Sequence, residues 1–194
     1  MNAWQTHLAV AVLATTLLNG CAGLLVGGAA TGISVAHDRR TAGTVMDDQT
    51  IEYKVYDALN LQLPPGNHIN TTCYNSAVLL TGEVASEPIR LQAEQIARRI
   101  DSPVREVYNE LVVGPPSPLA VQSNDALLTT KVKTALFQIT NIPDFDPSRV
   151  KVVTDRSVVY LMGLVRPKEA DAVANVASQV GGVRQVVTLF EYIN

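Results

Sequence analysis

Val78-Leu79-Leu80-Thr81-Gly82-Glu83-Val84 and Val159-Tyr160-Leu161-Met162-Gly163-Leu164-Val165 are two versions of one strand, each with a glycine at its fifth position. The match extends outward from them. Upstream, Lys54-Val55-Tyr56-Asp57-Ala58-Leu59 lines up with Lys131-Val132-Lys133-Thr134-Ala135-Leu136. Downstream, Ile96-Ala97 matches Val176-Ala177, and Val104-Arg105-Glu106-Val107 matches Val183-Arg184-Gln185-Val186. Four blocks in the same order in a chain of 194 residues mean an internal duplication.

Each copy has the same element order. A first helix carries Ile51, Val55, Ala58 and Leu59 on one face, or Leu128, Val132, Ala135, Leu136 and Ile139. Two strands follow, over residues 69–74 and 77–84 or 149–154 and 157–165, joined by hairpin-like links at Asn75-Ser76 and Asp155-Arg156. A second amphipathic helix and a last strand (residues 104–113 or 183–193) close each copy. The order is α-β-β-α-β, a small sheet that must bury one face under two helices. Gly114-Pro115-Pro116-Ser117-Pro118 between the copies reads as a stiff linker holding them at a limited separation.

The N-terminus carries a different signal. Leu8-Ala-Val-Ala-Val-Leu-Ala-Thr-Thr-Leu-Leu18 is uncharged and apolar. As a helix it spans about 16 Å, too short to cross a bilayer and suited to the core of a signal peptide. It runs into Leu18-Asn19-Gly20-Cys21, which resembles the lipobox of bacterial lipoproteins. That resemblance implies a diacylglycerol thioether on Cys21, cleavage after Gly20 and N-acylation of the new terminus, with Ala22 rather than Asp favouring the outer membrane as the destination. The leading residues depart from the pattern in having no Lys or Arg. The segment after Cys21 is rich in Gly and Ala and reads as a mobile tether, with Arg39 and Arg40 either against lipid headgroups or solvated. The expected organisation is a signal peptide (1–20), a lipidated tether (21–46), a first domain (47–113), a Pro-rich linker (114–122) and a second domain (123–194).

The α-β-β-α-β repeat resembles the BON domain. The features that carry the likeness are the mid-strand glycine and the lead-in Gly182-Val183-Arg184-Gln185-Val186 to the last strand. In the first copy Ser102-Pro103-Val104 replaces that lead-in. With the lipobox, the chain is similar to dual-BON outer-membrane lipoproteins over nearly its whole mature length. The resemblance implies an α+β fold of two tandem domains, each with a three-stranded mixed sheet on two helices. It also implies a lipid-anchored protein facing the periplasm, a role in envelope integrity, and anionic phospholipid as a partner.

Composition narrows the alternatives. A net charge of -3 with 5% aromatic residues lacks the basic footprint and stacking platforms of a nucleic-acid binder. No nucleophile elbow, zinc-protease motif, phosphate loop or paired-cysteine metal site is present, so neither catalytic residues, metal ligands nor a cofactor beyond the Cys21 lipid are expected. His37 and His68 read as solvated loop residues, Asp144 and Asp146 as turn caps, and Cys73 as a buried thiol. Gly82 and Gly163 read as close-packing or bulge positions.

One surface distinguishes the copies. At about 100° per residue, the second-copy first helix points Leu127, Thr130, Thr134 and Phe137 away from its core stripe, with Lys131 and Lys133 on the flanks. An apolar ridge edged by lysines suits an anionic membrane surface. In the first copy the outward residues are Tyr53, Asp57 and Asn60. There Asp47, Asp48, Glu52 and Asp57 against Lys54 leave a local charge of -3, whereas Asp125 against Lys131 and Lys133 leaves +1. Leu127 and Phe137 could equally pack on the first copy, a partner protein or a second chain. The competing function is a non-enzymatic adaptor that binds an envelope protein.

Overall fold

The computed structural model describes residues 38–194, so the signal-peptide segment, Cys21, His37 and most of the tether lie outside the described residues. The first domain comprises α1 (Ala42–Gln62), β1 (His68–Tyr74), β2 (Ala77–Val84), α2 (Glu87–Arg99), β3 (Glu106–Asn109) and β4 (Val112–Val113). The second comprises α3 (Leu119–Leu136), a short 3-10 turn (Pro147–Arg149), β5 (Val150–Asp155), β6 (Val158–Val165), α4 (Pro167–Ser178) and β7 (Gln185–Tyr192). In both, the central strand pairs antiparallel with its hairpin partner and parallel with the strand after the crossover helix. The order is β5-β6-β7 in the second domain and β1-β2-β3 in the first, with β4 continuing the last strand along β2. The fold is therefore α+β, with two mixed sheets.

The central strands are buried from end to end. Their alternation shows why. Val78, Leu80 and Val84 join Ile51, Val55, Leu59, Ala93 and Ala97 beneath α1 and α2, and Val159, Leu161 and Val165 do the same beneath α3 and α4. The intervening residues form a third core: Tyr74, Ala77 and Leu79 from one sheet meet Val158, Tyr160, Met162 and Leu164 from the other. The two sheets lie face to face with helices outside. At about 1.5–3 kcal/mol per large apolar side chain withdrawn from water, this seam outweighs any single polar contact across it. The halves are thus held by a shared core, not merely kept at a limited separation by the linker.

The hairpins have two-residue turns with both residues at positive φ, Asn75 and Ser76 in one copy, Arg156 and Ser157 in the other. The second turn lies one residue beyond the Asp155-Arg156 link expected from the sequence. Asp155 is instead the last strand residue, paired with Val158 as Tyr74 is with Ala77. A buried aspartate fixes each turn. Asp48 of α1 accepts from the amides of Asn75 and Ser76 at 2.7 Å each, and Asp125 of α3 accepts from Arg156 and Ser157 at 2.7 and 2.9 Å.

Gly82 sits at φ +113°, and a Cβ there would lie 2.0 Å from the His68 carbonyl oxygen. Opposite it, the last strand breaks between β3 and β4. At Gly163 the corresponding Cβ would lie 2.9 Å from the Arg149 carbonyl oxygen, and β7 runs past it without interruption.

Helices also begin earlier than their sequence boundaries. α1 starts at Ala42, capped by the Thr41 side chain, inside the segment read as tether. α3 starts at Leu119, directly after Pro118, inside the segment read as linker. Ser117 is pinned as well, its hydroxyl donating to the buried Glu83.

Candidate membrane-facing surface

Leu128, Val132, Leu136 and Ile139 of α3 and the residues after it turn into the second core, and Ala135 is half-buried beside them. This leaves the opposite side of the helix to solvent. Leu127, Thr130, Lys131, Lys133, Thr134 and Phe137 are all exposed, Leu127 at 63% and Phe137 at 68%. Neither apolar residue packs on the first domain, which removes that alternative for the ridge. Thr130 and Thr134 return their hydroxyls to backbone oxygens one turn back, Ala126 and Thr130 respectively. Their polar atoms are thereby partly satisfied within the helix, and their methyl groups remain on the surface.

The early start of α3 adds a residue that sequence reading assigned to the linker. Leu119 is 77% exposed. It lies five helical turns from Phe137, since eighteen residues at about 100° each complete five rotations, so both belong to one stripe. The stripe is about 27 Å long. The clue in the sequence was the spacing of Leu119 from Leu127 and Phe137, obscured by the three prolines before it.

Electrostatics along this helix differ from the simple charge count. Asp125 is buried against the hairpin turn, where its charge meets two amides. The exposed charges of α3 are therefore Lys131 and Lys133 alone. The first-domain count changes too, because Asp48 is buried and paired with Arg40 at 2.8 Å, and Glu52 pairs with Lys151 at 3.3 Å.

The other candidate residues fall elsewhere. Arg39 and Arg40 are neither solvated nor free for headgroups. The Arg39 guanidinium grips Glu169 at 2.6 and 2.7 Å and donates to the Leu164 carbonyl at 2.7 Å. Arg40 pairs with Asp38 and Asp48 and stacks 3.8 Å from the centre of the Tyr74 ring.

His68 lies in β1 rather than a loop, its Nδ1 3.0 Å from Glu83. Burial pushes the Glu83 carboxyl up, but hydrogen bonds from Ser117 and His68 outweigh it and leave the group below its usual range. Cys73 is buried with its Sγ 3.4 Å from Asp48, and burial with that neighbouring carboxylate drives its thiol pKa far up, so it is not a ready nucleophile. Asp146 caps the 3-10 turn through the Ser148 amide. Arrangements of these residues are structural; the exposed ridge of α3 has no such role.

Two BON-domain matches cover residues 47–115 and 124–194. The chain belongs to the BON-domain family. Among curated relatives, it is 38% identical over 189 residues to Outer membrane lipoprotein DolP of Haemophilus influenzae, covering 96% of each chain. It is 34% identical over 160 residues to a 21 kDa hemolysin of Actinobacillus pleuropneumoniae, covering 80% of this chain and 79% of that one. A solved structure of CdsD, a structural protein of the type III secretion system of Chlamydia trachomatis, aligns at 12% identity. It covers 73% of this chain and 91% of that one, with a TM-score of 0.29, a likeness too slight to argue from. The two BON domains thus coincide with the two helix-backed sheets, and the part of the stripe from Leu127 to Phe137 lies within the second match.

Proposed function

We infer that this BON protein is an outer-membrane lipoprotein, anchored through Cys21 and facing the periplasm, whose second domain rests on anionic phospholipid through α3 and supports envelope integrity. Leu127 and Phe137 enter the boundary between headgroups and acyl chains, with Leu119 extending the same line. Lys131 and Lys133 lie on either side of the ridge, where their stems run along it and their ammonium groups reach phosphates. Each lysine near an anionic leaflet contributes about 1 kcal/mol. The acyl chains supply attachment and the helix face supplies headgroup selectivity.

The observation that carries this reading is the exposure of all six residues on one helix whose only carboxylate, Asp125, is buried in a turn. The relation to the DolP protein, named as an outer-membrane lipoprotein, supports the location. Binding, not catalysis, is the activity. The test is co-sedimentation of residues 22–194 with vesicles of zwitterionic lipid alone and with added anionic lipid. Binding restricted to the anionic vesicles and weakened by salt supports the reading; equal binding to both, or to neither, overturns it.

A further inference from the structure

The first domain has an open sheet edge. β1 pairs only with β2 among the described residues, so its other side is a strand edge. Tyr74 and Ala77 flank a two-residue turn, which makes them a mutually hydrogen-bonded pair. By alternation His68, Asn70, Thr72 and Tyr74 turn their backbone groups to β2, while Ile69, Thr71 and Cys73 turn theirs outward. The Cys73 amide confirms the phase, since it donates outward to the Glu52 carboxylate at 2.9 Å. Its carbonyl accepts from Lys151 of the second domain at 3.4 Å. These contacts close the edge at its Tyr74 end and leave Ile69 and Thr71 beyond it.

Above the open part are two grooves of about 270 Å³ each, on either side of Tyr56. One includes Ile69 with Leu59 and Leu63, the other Thr71 with Tyr53 and Gln49. Tyr53 and Tyr56 are exposed at 69% and 54%. The Thr71 hydroxyl oxygen is buried with no hydrogen-bond partner among the described residues. An unfilled backbone edge, an unpartnered hydroxyl and two aromatic rings thus meet at one place.

We propose that the Ile69–Thr71 edge of the first domain binds an extended peptide segment of a partner protein as an added β-strand. Main-chain groups of the segment pair with Ile69 and Thr71. Its apolar side chains at alternate positions, spaced about 7 Å apart along a strand, fall into the two grooves with Tyr56 between them. Backbone pairing supplies affinity, and the grooves select the side chains, as in other strand-addition sites. This surface is independent of the α3 ridge and stands or falls without it.

The probe is a random peptide library displayed on phage, selected on residues 22–194, with enriched peptides then synthesised. The expected result is binding that slows hydrogen exchange at the Ile69 and Thr71 amides. Tyr56→Ala then weakens it at least about ten-fold, the scale of an interface tyrosine anchor. Thr71→Pro abolishes it, because an edge proline removes the outward N–H without touching the ladder to β2. The circular dichroism of each variant shows whether the fold is kept, and hydrogen exchange in the unaltered chain decides the matter if Thr71→Pro unfolds. No enrichment, or bound peptides that leave both amides exchanging freely, overturns the proposal. Concentration-dependent protection of the same amides without peptide would also overturn it, in favour of pairing between two copies.

Discussion

Arg39 and Glu169, 130 residues apart, form a two-pronged ion pair at 2.6 and 2.7 Å that fastens the segment before the first domain to the second. Glu169 is 1% exposed and also accepts from the Arg166 amide at 2.7 Å, closing the N-terminus of α4. The segment leading into α1 is therefore held at the junction of both domains. Arg39→Met leaves a buried carboxylate short of its main partner and lowers stability by about 2 kcal/mol. Urea unfolding checks this, and a double-mutant cycle with Glu169→Gln shows the two changes to be non-additive. The Arg39 hydrogen bonds hold the Glu169 carboxyl below its ordinary range, against burial. The pair's contribution is therefore complete above the ordinary glutamate range and lost as pH falls through the lowered value.

Asp155 behaves in the opposite sense. Burial, then the negative charges of Glu83 and Asp125, raise its carboxyl pKa, while a hydrogen bond from the Gly82 backbone only partly compensates. A carboxyl with a raised folded pKa opposes folding when ionised, so acidification relieves the cost. Asp155→Asn raises Tm at pH 7, and its advantage over the unaltered chain shrinks as pH falls through the raised value. A Tm series for the two proteins across that range measures it.

The two buried turn caps differ in how much they hold. Asp125→Ala strands two turn amides and costs about 1–3 kcal/mol. Asp48→Ala strands two amides and also deprives Arg40 of a partner at 2.8 Å. It is the costlier of the two, and urea midpoints for both variants with unchanged m-values give the ordering.

Glycine is required at position 82 for two reasons, the positive φ and the 2.0 Å approach of a Cβ to the His68 oxygen. Gly82→Ala costs on the order of 3 kcal/mol. Gly163→Ala costs less, because only the 2.9 Å approach to the Arg149 oxygen is at issue. Thermal unfolding of the pair separates the two causes.

The duplication, the helix faces and the strand order were legible because each is a local periodicity. So were Leu127 and Phe137, which follow from the phase of Leu128, Val132 and Leu136. The sheet-on-sheet seam was also written in the residues: Leu79, Tyr160 and Met162 make both faces of their strands apolar, the pattern of a strand covered on both sides. Reading one apolar face per sheet concealed it. Polar partners were not legible. Asp48 and Asp125 look like ordinary surface charges of a helix, and nothing near them in sequence marks the hairpin amides they meet. Arg39 likewise meets Glu169 only because the two sheets pack together. Thr41, whose side chain accepts from the Thr44 amide at the start of α1, follows a run of small residues that masks it, and Leu119 follows three prolines.

The proposed contact between α3 of the second domain and anionic lipid is tested most directly by vesicle co-sedimentation of residues 22–194 carrying Leu127→Glu, beside Tyr53→Glu in the first domain. Both substitutions fall on exposed side chains, so the folds of the two variants are matched by Tm before they are compared. The predicted result is loss of anionic-vesicle binding by at least about ten-fold for Leu127→Glu, on the scale of one apolar anchor replaced by a charge, with Tyr53→Glu indistinguishable from the unaltered chain. Equal losses in both variants, or full binding by Leu127→Glu, would contradict it.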